Sequence, residues 1–184
     1  GCVWLTVMGN VNAIAVAVLA DVACMLRYTR DDLKKARVGW LGCTNGTLFS
    51  LIEALRYFPF SLQVALPPLE DRPTLETYAR HCGVKVDFVD TPQQAVEGCN
   101  FVYAGCRSGL DDELAQQWKV DDALLSHADQ KARVLLGTSP MQAIEVASDI
   151  LASPASLLLL QSENRLRVHK RLLHWVFLEN ERVI

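Results

Sequence analysis

With 184 residues, half of them apolar, the chain suits one ordinary α/β domain with a sizeable core. A net charge of −3 leaves no basic footprint, so no nucleic acid partner is expected. Ala13–Ala20 is an unbroken apolar run, but Asp21 and Arg27 end it well short of a bilayer span, and it lacks the basic leader of a signal peptide. No membrane partner is expected either.

The elements follow in order. Gly1–Gly9 is apolar and unpatterned, a strand or a displaced arm. Asn10–Tyr28 is rich in Ala, Val and Leu and reads as a buried helix that Asn12 can cap. Asp31–Lys35 is a polar connection. Val38–Leu41 is a short strand, and Gly42–Gly46 a turn with two glycines. From Thr47 the apolar residues Leu48, Leu51, Ile52 and Leu55 recur at helical spacing, and Pro59 stops a helix over Thr47–Phe58. Ser61–Leu66 is a second strand, closed by Pro67 and Pro68. A helix over Pro73–His81 ends at Gly83. Val84–Val89 alternates, as a half-buried strand near an edge does. Thr91 caps a short helix to Val96, ended by Gly98.

Phe101–Ala104 is the next strand, Asp111–Trp118 and Asp121–His127 are short helices, and Ala132–Leu136 is the last strand. Pro140–Leu151 is a helix, Leu157–Leu160 an extra strand or buried link, and Glu163–Leu178 the closing helix. Alternating strands and helices predict a three-layer, Rossmann-like α/β fold with a central parallel sheet and no internal domain boundary. The turn Gly42–Gly46 then lies at the carboxyl edge of the sheet, where such folds bind ligands. Two glycines alone also fit a tight turn without a ligand.

Motifs of independent chemistry are few. Cys2, Cys24, Cys43, Cys82, Cys99 and Cys106 form no Cys-x-x-Cys pair and have no His at metal-ligand spacing, so no metal is expected. They read as reduced, mostly buried thiols of a cytoplasmic protein. Gly42-x-x-x-Gly46 is not Gly-x-Gly-x-x-Gly, which disfavours a dinucleotide site. His81, His127, His169 and His174 are scattered over predicted helices and carry no triad signature. Arg165, Arg167, Lys170 and Arg171 read as a solvated helix face.

The order of several short pieces carries more. Val18-Leu19-Ala20-Asp21, Gly39-Trp40-Leu41-Gly42 with Asn45 and Ser50, Ala95-Val96-Glu97-Gly98, Pro140 followed by Glu145-Val146, and Glu163-Asn164-Arg165 appear in sequence. In this the chain resembles the second, amino-acid-binding domain of the carbamoyltransferases, the ornithine type more than the aspartate type, from about Asn10 to Phe177. The resemblance implies an enzyme that transfers a carbamoyl group from carbamoyl phosphate to an amino acid, without a cofactor. It implies that the phosphate is held by a Ser-x-Arg-Thr loop on another domain. No such tetrapeptide occurs in these 184 residues, so the chain alone is expected to be a poor catalyst.

The family's own motifs on this half are altered. Its His-Pro-x-Gln falls on Ile14-Ala15-Val16-Ala17. Its Gly-Asp-x-Asn-Asn turn falls on Gly42-Cys43-Thr44-Asn45-Gly46. The Asp that holds the ornithine amino end falls on Gly105, and the Ser-Met-Gly after it on Ser108-Gly109-Leu110. Its His-Cys-Leu-Pro falls on Gly137-Thr138-Ser139-Pro140. Arg165 survives, as a carbamoyl contact or as a brace for the last helix. Asn45 and Asn164 are read as serving the turn and the helix start.

The expectation is therefore one carbamoyltransferase-type domain over residues 1–184, without the carbamoyl-phosphate domain and without catalytic residues. It is a structural or regulatory homologue, or a fragment of a working enzyme of altered specificity. Arg165, Ser108, Asn45 and Thr138 are its vestigial substrate-binding candidates. Its expected partners are an amino acid or other small molecule, a second copy of itself, or a carbamoyl-phosphate-binding domain. A chain starting at Gly1 reads as a processed product or a fragment.

Overall fold

The computed structural model describes residues 11–68, 70–105, 112–137 and 146–179. Five strands form one parallel sheet: β1 (Arg37–Leu41), β2 (Ser61–Ala65), β3 (Asp87–Val89), β4 (Phe101–Ala104) and β5 (Arg133–Leu136). Their order is β3-β2-β1-β4-β5. The three-layer parallel architecture read from the sequence is the one observed. Each strand matches its predicted position, though β3 is trimmed to three residues and Val84–Val86 lies outside it. It is an edge strand, as its alternation implied.

Alternation along the strands builds two cores. Val38, Trp40, Leu62, Val64, Phe101, Tyr103 and Leu135 point to one face. There they meet α1 (Val11–Tyr28), α2 (Gly46–Ala54), α3 (Arg72–Cys82) and the start of α8 (Leu158–His174). Leu41, Ala65, Val102, Ala104, Val134 and Leu136 point to the other. They meet α4 (Pro92–Val96), α6 (Asp122–Leu125), α7 (Ser148–Ala152) and residues flanking α5 (Asp112–Gln117). Gly39 lets α4 approach so closely that the carbonyl of Ala95 leaves no room for a β-carbon.

Local chemistry sets most boundaries. Asn45 caps α2 by accepting from Thr47 N (2.9 Å) and Leu48 N (3.1 Å). Thr91 and Gln94 form a reciprocal capping box on α4. Gly83 closes α3 at φ +70°. Asp71 caps α3, accepting from Thr74 N.

Three expectations are corrected. Asn12 lies inside α1 and not at its cap. Asp31–Lys35 is not merely a polar connection, since Leu33–Lys35 forms a single 3₁₀ turn with buried Leu33. Leu157–Leu160 is neither strand nor link: α8 begins at Leu158, five residues earlier than predicted. Four consecutive leucines carry no period, so their run cannot distinguish strand from buried helix. Glu163-Asn164-Arg165 consequently falls in the second turn of α8 and not at its head.

Candidate functional site at the carboxyl edge of the sheet

The chain runs outward from β1 to β3, then returns to β4 on the other side of β1. The carboxyl ends of β1 and β4 therefore flank the switch point where open parallel sheets hold ligands. Gly42 leaves β1 at φ +122°, a conformation that a side chain rarely adopts. Gly105 leaves β4 and donates its N–H to Leu41 O at 2.6 Å. Gly137 leaves β5 and donates to Ala104 O at 2.9 Å. The Thr47 hydroxyl, in the first turn of α2, donates to Gly137 O at 2.9 Å.

Trp40 is the floor of this crevice. Its indole N–H donates to Gly42 O at 3.2 Å, and the side chain is fully buried. A β-carbon on Gly105 would meet Trp40 Cζ2 at 2.6 Å and Leu41 O at 2.7 Å. One on Gly137 would meet Trp40 Cη2 at 2.7 Å. On the α1 side, a β-carbon on Gly46 would meet Ile14 Cδ1 at 2.7 Å. Indole and isoleucine thus occupy the space where side chains at these three glycines would begin.

Of the residues singled out from sequence, Asn45 is half-buried and its side-chain oxygen is engaged as the α2 cap. The neighbouring Thr44 donates its N–H to Glu70 Oε2 at 2.8 Å, while its buried hydroxyl has no hydrogen-bond partner. Ser108 and Thr138 lie outside the described residues, as do Pro140 and Glu145. A hollow of about 230 Å³ at the carboxyl ends of β2 and β3 holds Glu70, Arg72 and Asp90. Its Arg72 is already bonded to Glu76 (2.8 Å), Asp90 (2.7 Å) and Phe88 O (3.1 Å). A larger cavity of about 530 Å³ lies between α6 and α7, beside the segment that enters β5. Among the described residues no group of three or more His, Cys, Asp or Glu is placed to hold a metal ion.

Arg165 belongs to a polar cluster that sequence reading did not assemble. Asp21, wholly buried in α1, accepts from Tyr103 Oη at 2.8 Å and from Gln161 Nε2 at 2.9 Å. Gln161 also accepts the N–H of Leu136 at 3.0 Å, tying α8 to the end of β5. Arg165 lies close enough for its charge to act on Asp21, and its own buried Nε has no hydrogen-bond partner. Burial pushes the Asp21 carboxyl up to about 6, opposed by Arg165 and by hydrogen bonds from Gln161 and Tyr103. Burial, reinforced by Asp21, holds Tyr103 well above the usual phenol range. One turn on, the Asn164 amide donates to Cys24 Sγ at 3.2 Å. Burial and then the Asp21 charge push that thiol up to about 11. The available signals were an aspartate in an apolar helix and a glutamine closing a leucine run.

The family model for the aspartate/ornithine carbamoyltransferase Asp/Orn-binding domain matches residues 34–176. Ornithine carbamoyltransferase of Nitratidesulfovibrio vulgaris is 33% identical over 171 residues, covering 88% of this chain and 57% of that protein. The ornithine carbamoyltransferase of Burkholderia thailandensis superposes with a TM-score of 0.70 at 26% identity, over 89% of this chain and 54% of that one. The mitochondrial ornithine carbamoyltransferase of Coccidioides immitis shares the fold at a TM-score of 0.79 and 19% identity, over 92% and 58%. The chain spans a little over half the length of these relatives.

Proposed function

Because the chain belongs to the aspartate/ornithine carbamoyltransferase family, we propose that it is an amino-acid-binding domain that has lost catalysis and serves a structural or regulatory role. The observation carrying this reading is the apolar filling of the carboxyl edge. Ile14 lies against Gly46, and Trp40 underlies Gly105 and Gly137. The family resemblance places polar ligand-contacting side chains at Ile14, Gly46 and Gly105, and a histidine at Gly137. An oxyanion-type donor contributes about 2.7–4 kcal/mol of transition-state stabilisation, and Ile14 offers none. A charge-assisted hydrogen bond to an amino group contributes about 1.5–3 kcal/mol, and Gly105 has no side chain to accept one.

The same losses predict that ornithine does not bind at millimolar levels through this edge. Two missing contacts remove roughly two to three powers of ten in affinity. A more apolar amino acid or small molecule suits the neutral edge better. The free, mostly buried thiols Cys24, Cys82 and Cys99 suit a reducing, cytoplasmic setting.

The test is citrulline formation from carbamoyl phosphate and ornithine, with calorimetry of ornithine and norvaline binding. No product above the uncatalysed background and no saturable ornithine binding are expected. Turnover that disappears in Arg165→Ala overturns the reading. A second reading is favoured by one observation, the chain's span of just over half its relatives. It is a piece of a working enzyme of altered specificity, completed by a carbamoyl-phosphate-binding domain. A reading frame with about 140 residues upstream, a typical domain length, and a Ser-x-Arg-Thr loop within them supports this second reading.

A further inference from the structure

The two edges of the sheet are treated differently. Along β5 the segment after α7 covers the edge: Val134 N donates to Ala155 O at 2.8 Å, and Leu157 N to Val134 O at 2.9 Å. Along β3 no segment does so among the described residues. The register shows which backbone groups are left over. Ser61 N donates to Ala36 O, and Ala65 O accepts from Gly42 N, so the odd-numbered residues of β2 serve β1. The even-numbered ones therefore serve β3. Val64 stands opposite Phe88 and bonds the residues on either side of it, which turns Phe88 outward. Phe88 O accordingly accepts from Arg72 at 3.1 Å instead. Val86, two residues earlier, faces the same way, and its N–H and C=O have no partner among the described residues. An edge of this kind is a template for another strand.

Beside it runs a hollow of about 450 Å³ between β3 and α3. Its apolar lining is Ala79, Val84, Val86 and Phe88. Helix on one side and free strand edge on the other is the arrangement in which an extended peptide gains main-chain hydrogen bonds and side-chain pockets together.

We propose that this edge takes an extended, acidic segment of another polypeptide as an added strand antiparallel to β3. Charge complementarity chooses the occupant and its direction. At the carboxyl end of β3 the cation Arg72 is already bonded to Glu76 and Asp90. At the amino end Arg80 donates to the Thr77 hydroxyl at 2.9 Å and meets no carboxylate among the described residues. Lys85 pairs with Asp87 at 3.1 Å, but its side chain is 86% exposed, so that pair holds it weakly. Past Lys85 a second hollow of about 490 Å³ adds Arg56, and no described carboxylate lines it. Acidic residues at the carboxyl end of an antiparallel segment reach these three cations. The edge lies two strands away from the crevice between β1 and β4, so the proposal stands independently of catalysis.

At about 3.3 Å per residue a strand of six residues covers Val84–Val89. Fluorescence anisotropy of a labelled hexapeptide, Thr-Val-Thr-Val-Glu-Glu, titrated with the whole chain to about 1 mM, tests this. Saturable binding is expected. Replacing the two Glu by Lys should weaken it about tenfold, and Arg80→Glu about fivefold. Val86→Pro removes one outward N–H that the sheet does not use, so the fold should persist while affinity falls about fivefold. A peptide N-methylated at its central residues should lose binding to the unaltered chain, which tests the pairing even if Val86→Pro fails to fold. Absence of saturable binding overturns the proposal, and is the result expected if a second copy or another domain covers this edge. Equal binding of the Lys peptide, or indifference to N-methylation, overturns it as well.

Discussion

Ile14 and Gly46 fit together: a β-carbon added to the glycine would stand 2.7 Å from Ile14 Cδ1, well inside contact distance. The pair joins the first turns of α1 to the start of α2 beside the crevice. The resemblance puts a polar residue at each place, so the two changes are complementary in volume as well as polarity. Gly46→Asn alone should destabilise the fold by about 1–3 kcal/mol through overpacking. In an Ile14→Ala background it should cost less. Urea denaturation of the double-mutant cycle should give a coupling of about 0.5–3 kcal/mol. Strict additivity would mean the two side chains do not share this space.

Gly105 makes the tighter prediction. Its missing β-carbon is opposed by the Trp40 ring at 2.6 Å and by backbone, Leu41 O, at 2.7 Å. Neither can move as a flexible side-chain end would. Gly105→Ala should lower the unfolding free energy by about 1–3 kcal/mol, and Gly105→Asp by more, because a carboxylate would be buried as well. Neither is expected to create ornithine binding. An unchanged urea midpoint in Gly105→Ala would show that the indole yields easily.

Asp21 sets a pH dependence with an unusual sign for a carboxylate. Its folded value near 6 lies above the ordinary 3.8, chiefly because burial disfavours the ionised form. The folded state therefore binds this proton more tightly than the unfolded state. The corresponding stabilisation is complete below about pH 4 and is lost as pH rises through 6. Two pKa units correspond to about 3 kcal/mol. Asp32 and Asp71, held below the usual carboxylate range by local hydrogen bonds, act in the opposite sense. The comparison with Asp21→Asn isolates the effect. The wild type should lose stability relative to the variant between pH 4 and 7, and a flat difference curve would contradict it.

Asn45 should behave as a helix cap. It accepts from two backbone N–H groups of α2. Asn45→Ala should cost about 0.5–2 kcal/mol, while Asn45→Asp or Asn45→Ser should retain most of the stability. Thermal unfolding of the three variants reads this directly. Equal losses in all three would point to a role for the amide beyond capping.

Much of this molecule was legible in one dimension. Period-two and period-3.6 patterns, with prolines, glycines and caps between them, placed all five strands and most helices. Those signals are local, because backbone hydrogen bonding and side-chain alternation act over a few residues. The order of short motifs pointed to the family because each motif is a local run of a few residues, as at the end of β1, within α1 and within α8. What α8 does was hidden. Its start lay in a run of leucines without periodicity. The cluster of Asp21, Tyr103, Gln161 and Arg165 was hidden too, since its members are up to 144 residues apart and meet only when α1 and α8 pack on the same face of the sheet. Sequence therefore determined which elements form. Tertiary structure alone decided which polar groups share a buried site and which glycines are filled from across the fold, because burial and close approach are properties of pairs distant in the chain.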